Sequence, residues 1–93
     1  MSAVEVENEV TYNEFAGKLS EALEVVGFNH FATEGATEFW SVDKDHGNIE
    51  VRVDYIAGDA FIEITNGRGI VVKQTTVELK SVSDCRRVLN TAV

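Results

Sequence analysis

The sequence predicts a two-layer α+β domain with element order α-β-β-β-β-α, in which both helices cover one face of a four-stranded antiparallel meander. Between residues 37 and 79, short runs alternate apolar and polar residues, and glycine-containing turns separate the runs. Successive side chains of a strand point to opposite faces, so this alternation indicates strands with one buried face. An amphipathic stretch precedes the region and another follows it. Two helices and a one-sided sheet can bury their apolar surfaces against each other.

Residues 1–10 contain the acidic segment VEVENEV, which permits two interpretations. Its alternation permits an added edge strand, whereas its carboxylates and its lack of a turn signal permit an acidic N-terminal arm. Residues 11–93 should form a single α+β domain, because a chain of 93 residues is too short for two cores.

The first helix should run from about residue 12 to residue 26. Thr11 and Glu14 have the spacing of a capping box, and Gly27 follows where a left-handed residue ends a helix. One apolar stripe follows at intervals of three and four residues: Phe15, Leu19, Ala22, Leu23 and Val26.

Four strands are expected at residues 37–43, 48–56, 60–65 and 70–79. In the first hairpin, a four-residue loop at residues 44–47 turns Trp40 and Val42 inward and leaves Phe39 outside. Loops of three or five residues would do the reverse, and we favour the arrangement that buries two apolar residues.

Turn chemistry predicts the register of the later strands. A two-residue turn at Gly58 and Asp59 would place Tyr55 opposite Ile62. A three-residue connection at residues 66–68 would place Ile64 opposite Ile70 and Ile62 opposite Val72. The apolar residues of the last strand then change parity, which predicts a β-bulge near residues 74–76.

The second helix closes the chain, with Ser81 or Ser83 as its cap. Its apolar side is Val82, Cys85, Val88, Leu89 and Ala92. Cys85, the only cysteine, should be a buried packing residue, and it leaves no internal disulfide. Together with an N-terminus unlike a secretory signal, this favours a reducing, cytoplasmic setting. No apolar run is long enough to cross a bilayer, so no membrane partner is expected.

The net charge of −8 disfavours direct binding to nucleic acid and favours a basic protein partner. The acidic surface should include Glu14, Glu21, Glu24 and Glu50.

Chemical motifs are weak throughout the chain. Residues 43–48 resemble the start of a calcium loop, but Gly47 and Asn48 stand in reversed order for such a site. The sequence therefore predicts no metal, no cofactor and no catalytic residues.

The face of the sheet away from the helices is the expected binding surface. Ile56 and Phe61 should form a cross-strand apolar pair there, rimmed by charge, as is typical of protein interfaces. The predicted partner-binding residues are Phe39, Arg52, Asp54, Ile56, Phe61, Glu63, Val71 and Lys73.

The leading hypothesis is a non-catalytic, acidic protein-binding module that acts as an inhibitor, immunity-type or adaptor protein. One alternative is a nucleic-acid mimic of the phage or mobile-element type. The element order also resembles that of several unrelated small α+β proteins, including dimeric secretion chaperones and phage inhibitors, but order alone is too common to transfer a function. A secretion-chaperone-like dimer is a further alternative, and the exposed sheet face could instead serve a homodimer. A ligand pocket around His30, Trp40 and Tyr55 is the least favoured alternative, since so small a domain leaves little volume for one.

Overall fold

The computed structural model describes residues 13–92, which form an α+β domain with a five-stranded antiparallel sheet. The strand order is the chain order, β1-β2-β3-β4-β5, so the predicted meander is confirmed and the expected count of four strands is wrong. The elements are α1 (Glu14–Val25), β1 (Asn29–Glu34), β2 (Thr37–Lys44), β3 (Gly47–Asp54), β4 (Asp59–Asn66), β5 (Val71–Glu78) and α2 (Val82–Ala92).

The strand that the sequence pattern missed is β1. Its pairing with β2 joins His30 to Trp40 and Ala32 to Phe39, with an irregularity between them at Phe31. This bulge inserts an extra residue, so the apolar and polar residues of β1 do not alternate as they would in a regular strand.

Helix α1 begins later than expected and has a different cap. The Asn13 side chain accepts hydrogen bonds from the amides of Phe15 (2.8 Å) and Ala16 (3.0 Å). It also donates to the carbonyl of Leu79 at 2.9 Å, which ties the start of α1 to the chain just after β5. Asn13 is therefore the cap instead of Thr11, which lies outside the described residues, as does the expected arm or strand at residues 1–10.

Both helices cover the same face of the sheet, as predicted. Leu19 and Leu23 of α1 and Val88 of α2 are fully buried against the central strands. Ser81 caps α2, because its hydroxyl accepts from the amide of Asp84 at 3.3 Å. The strand residues that are buried in this core are Trp40, Ile49, Val51, Val53, Ala60, Ile62 and Val77.

The first long hairpin has the predicted orientation. Trp40 is only 6% exposed, whereas Phe39 points to the opposite side of β2. The pairing of β2 with β3 continues to Lys44 and Gly47, so the loop itself is only two residues long although the register is as expected.

The register between β3 and β4 differs from the prediction. Asp54 pairs with Asp59, and Ile62 lies opposite Val51 instead of Tyr55. The Asp54 carboxylate accepts from the amides of Ile56 (2.9 Å) and Ala57 (2.8 Å), and this side-chain turn makes the connection four residues long.

The predicted register between β4 and β5 is also wrong. Ile64 pairs with Lys73 and Thr65 with Val71, so the bulge lies at Val72 and not near residues 74–76. Val72 and Ile70, expected in the core, are 59% and 55% exposed. The reason is their position, because burial along the helix side of β4 decreases from Ile62, which is fully buried, to the half-buried Ile64 beside them.

Candidate protein-binding face

The sheet face opposite the helices, called the open face below, carries an aromatic row across its middle. Phe39, Arg52 and Phe61 lie directly opposite one another on β2, β3 and β4. Directly opposed residues of an antiparallel sheet point to the same side, so these three side chains form one cross-strand row. We call it the central row.

Two members of the central row, Arg52 and Phe61, are in direct contact. The guanidinium carbon of Arg52 lies 4.8 Å from the centre of the Phe61 ring, which is a cation–π contact. Phe31, at the bulge of β1, extends the aromatic surface, with its ring centre 6.1 Å from that of Phe39. Phe31 is 54% exposed, so the open face presents a large aromatic group at its β1 edge.

Carboxylates lie on both sides of the central row. On one side, pairing across the sheet joins Glu34 to Thr37, Thr37 to Asp54, Asp54 to Asp59, and Asp59 to Glu78. We call the four carboxylates of this line, Glu34, Asp54, Asp59 and Glu78, the first acidic row.

The second acidic row lies on the other side of the central row. It consists of Glu50 and Glu63, which are directly opposite each other on β3 and β4. The Gln74 side chain donates to Glu63 at 2.8 Å and continues the line onto β5. Arg52 is the only base among the described strand residues that point to the open face.

The acidic rows place like charges on adjacent strands. The pKa of Asp59 is raised, first because burial disfavours its charged form and then because Asp54 and Glu78 repel it, whereas Arg52 acts in the opposite direction. Like charges directly opposite each other in a sheet are destabilising. The open face therefore keeps its charge at a cost to folding stability.

Two shallow depressions of the open face lie on opposite sides of the central row. A depression of ≈ 450 Å³ lies on the side of Glu34, Asp54 and Asp59. A smaller one of ≈ 120 Å³ lies on the side of Glu50 and Glu63. Both are shallow and open to solvent, which suits contact with a broad partner surface better than enclosure of a small molecule.

Comparisons with protein-family models, curated proteins and solved structures gave no match. A functional argument for this chain therefore depends on the chemistry of its surfaces.

Most of the predicted partner-binding residues meet on the open face. Phe39, Arg52 and Phe61 form the central row, and Asp54 and Glu63 belong to the two acidic rows. Val71 also lies on this face, but at its far end beside Thr65.

Two of the predicted partner-binding residues lie elsewhere. Ile56 is in the turn between β3 and β4 and is 63% exposed, so it cannot pair with Phe61, whose partner is Arg52. Lys73 lies opposite Ile64 and therefore points to the helix side. Both errors follow from the wrong strand registers.

The predicted acidic surface divides between the two layers. Glu50 lies on the open face, whereas Glu14, Glu21 and Glu24 are exposed on α1 in the helix layer. The helix acids and the sheet acids therefore do not form one continuous surface.

Sequence reasoning missed four residues of the open face: Phe31, Glu34, Asp59 and Glu78. Phe31 and Glu34 were missed with their strand. Asp59 was assigned to a turn, and its place in the first acidic row depends on its pairing with Asp54. The signal that could have found it is the aspartate at residue 54, whose side chain favours a longer turn.

The region of the proposed ligand pocket is a hydrogen-bonded cluster on the helix side. The Tyr55 hydroxyl forms hydrogen bonds with Ser20 Oγ (2.7 Å) and Glu38 Oε1 (2.8 Å), and the Trp40 indole donates to the same carboxylate at 3.3 Å. Burial raises the pKa of Tyr55. These groups link α1 to β2 and to the β3–β4 turn.

Other candidate chemistry can be placed as well. Among residues 13–92, no group of three or more His, Cys, Asp or Glu side chains is arranged to hold a metal ion. Cys85 is buried, as predicted, and burial raises the pKa of its thiol. Neither of the described helices is long and apolar enough to cross a membrane.

Proposed function

We propose that this chain is a non-catalytic protein-binding module, of the inhibitor, immunity-type or adaptor kind, whose open face docks on a basic surface of a larger protein. The observation that carries the proposal is the central row of Phe39, Arg52 and Phe61 between two rows of carboxylates. Aromatic residues, phenylalanine included, and arginine are enriched at protein interfaces, and arginine is common among the residues that dominate the binding energy. The surrounding carboxylates would attract a basic partner and accelerate its association.

The arrangement of the carboxylates supports a role in binding. Solubility requires net charge, but it does not require like charges on neighbouring strands. Asp54, Asp59 and Glu78 are aligned across three strands, and their repulsion adds to the effect of burial in raising the pKa of Asp59. A basic partner would relieve this repulsion on binding.

A second copy of the chain is a less suitable occupant of the open face. In a homodimer through this face, the acidic rows of the two copies would be brought together. Against six carboxylates, the described bases beside the acidic rows are Arg52 and Lys80, which pairs with Glu78 at 3.0 Å, so charge complementarity favours a foreign, basic partner.

The nucleic-acid mimic is a second candidate, supported by the two acidic rows. Asp54 and Glu50 lie four residues apart on β3, so the rows are about 13 Å apart. Two parallel lines of carboxylates could occupy the phosphate sites of a DNA- or RNA-binding protein. A mimic should lose more binding when the rows are neutralised than when Phe61 is truncated, and its binding should decrease steeply with salt.

Affinity capture with matched variants tests the main proposal. Tagged wild-type chain, Phe61→Ala and the control Val82→Ala would be incubated with lysate, and bound proteins quantified by mass spectrometry. Val82 is an exposed apolar residue of the helix layer, so its truncation removes surface of similar chemistry away from the open face. We expect basic proteins captured by wild type and V82A to be lost with F61A. Equal capture by all three chains would contradict the proposal.

A further inference from the structure

We propose that the partner contributes a basic amphipathic helix, which lies across the strands along the central row. This inference rests on the proposed function and names the element that the open face recognises. The helix would place apolar side chains on Phe39 and Phe61 and cations against both acidic rows.

The width of the charge pattern fits a helix. Each acidic row is displaced from the central row by two residues along the strands, as Asp54 and Glu50 are from Arg52. At about 3.3 Å per residue, the two rows are about 13 Å apart. An α-helix with its side chains is about 10–12 Å wide, so cations on its two flanks would reach both rows.

An extended segment fits the same pattern less well. The side chains of a strand alternate between two sides, so only one line of them would face the sheet. A strand laid along the central row would reach one line of groups, whereas a helix presents an apolar stripe and two flanks together.

The dimensions of the sheet limit the length of the helix. The line of the central row continues across all five strands, from Ala32 on β1 to Thr76 on β5. At about 4.8 Å between strands, it is about 19 Å long. A helix of about 13 residues covers that distance at about 1.5 Å per residue.

The charges also define an orientation for the helix. The first acidic row has four carboxylates, of which Glu78 is paired with Lys80 at 3.0 Å, and the second has two. The flank that faces Asp54 and Asp59 should therefore still carry more bases. Arg52 stands in the middle of the central row and would repel a cation there. A carboxylate near the middle of the apolar stripe would complement it.

A synthetic peptide tests the inference. The probe is a 14-residue peptide with a leucine and phenylalanine stripe, lysine and arginine on both flanks, and one central glutamate. Its control has the same composition in an order that removes the stripe. Each would be titrated into the ¹⁵N-labelled 93-residue chain, with binding followed by amide shifts and peptide helicity by circular dichroism. We expect helix formation on binding, shifts around Phe39, Arg52 and Phe61, and at least tenfold weaker binding of the control peptide.

Matched variants locate the contact. Glu50→Gln with Glu63→Gln neutralises the second acidic row, and Asp59→Asn with Glu78→Gln neutralises half of the first. Each pair should weaken binding of the amphipathic peptide about fivefold, as expected for two partly exposed ion pairs. Glu21→Gln with Glu24→Gln makes the same charge change on α1 and should change binding less than twofold.

The outcomes separate this inference from the proposed function. Equal binding of the two peptides, with both rows required, would overturn the helix and leave the acidic binding face intact. An equal loss of binding with the α1 pair would overturn both. An amphipathic peptide that does not bind would overturn the helix, while affinity capture would still decide the proposed function separately.

Discussion

Phe61 and Ile62 are neighbours in β4, yet they belong to surfaces with different properties. Ile62 is fully buried beneath the helices, opposite Val51. Phe61 lies on the open face, opposite Arg52, and is half-buried. Every strand contributes to both surfaces because its side chains alternate. Residues one position apart can therefore serve stability and binding separately.

The polar groups of the two faces differ in the same way. On the helix side, Tyr55, Glu38 and Trp40 satisfy one another through hydrogen bonds. On the open face, Asp59 lies between other carboxylates, and its pKa is raised first by burial and then by their repulsion. The polar groups of the helix side stabilise the folded state, whereas the open face keeps unfavourable contacts between carboxylates that a basic partner could relieve.

The largest difference in stability between the two faces should appear when Phe61 and Ile62 are each replaced by alanine. Ile62→Ala should lower the free energy of unfolding by about 3–4 kcal/mol, because it leaves a cavity in the core. Phe61→Ala should lower it by about 1 kcal/mol, because its ring remains partly exposed and loses mainly its contact with Arg52. Urea unfolding followed by circular dichroism measures both. Equal losses for the two variants would mean that the open face also supports the fold.

A smaller effect is expected at Asn13, which links the start of α1 to Leu79, the residue after β5. Asn13→Ala should lower the free energy of unfolding by about 2 kcal/mol, since it removes the cap of α1 and the hydrogen bond to Leu79. Asn13→Ser is the control, because serine retains the capping acceptor but is too short to replace the amide donor. Thermal unfolding should rank N13S between wild type and N13A. If N13S were as unstable as N13A, the cap would contribute nothing.

The fold class could be predicted from the sequence because alternation and amphipathic spacing are local signals. Trp40 and Val42 were assigned to the correct side from the apolar pattern of β2 alone. The register was less predictable, because it depends on turns and bulges. The β3–β4 turn is set by hydrogen bonds to the Asp54 side chain, and the bulges at Phe31 and Val72 interrupt the alternation that reveals a strand.

The candidate site depended on this register. Phe39, Arg52 and Phe61 were assigned to the open face correctly, because a strand residue needs only the right parity to be placed on a face. The acidic rows were not predicted, because each row consists of directly opposed residues on several strands. Which residues are opposed depends on the register of the strands. Shifting β4 against β3 replaces Arg52 as the partner of Phe61 and separates Asp54 from Asp59.

The smallest predicted effects are two responses to pH of opposite sign. The folded-state pKa of Asp59 is raised from its ordinary value of 3.8, so ionisation of Asp59 disfavours folding. The stability contribution of its protonated form is complete below pH 3.8 and is lost as the pH rises through the raised value. Asp59→Asn should therefore stabilise the protein at pH 7, by less than about 1 kcal/mol after solvent screening. That gain should disappear in acid.

Asp84, at the start of α2, should behave in the opposite way. Its pKa is lowered from 3.8, first because its carboxylate accepts a hydrogen bond from the backbone amide of Lys80. Its contribution to stability is present above pH 3.8 and is lost as the pH falls through the lowered value, so Asp84→Asn should destabilise the protein at pH 7 and have no effect in strong acid. Urea unfolding from pH 2.5 to 7 measures both variants, with Glu24→Gln as a control for net charge. Stabilisation by E24Q equal to that by D59N would attribute the effect to total charge and not to the position of Asp59 on the open face.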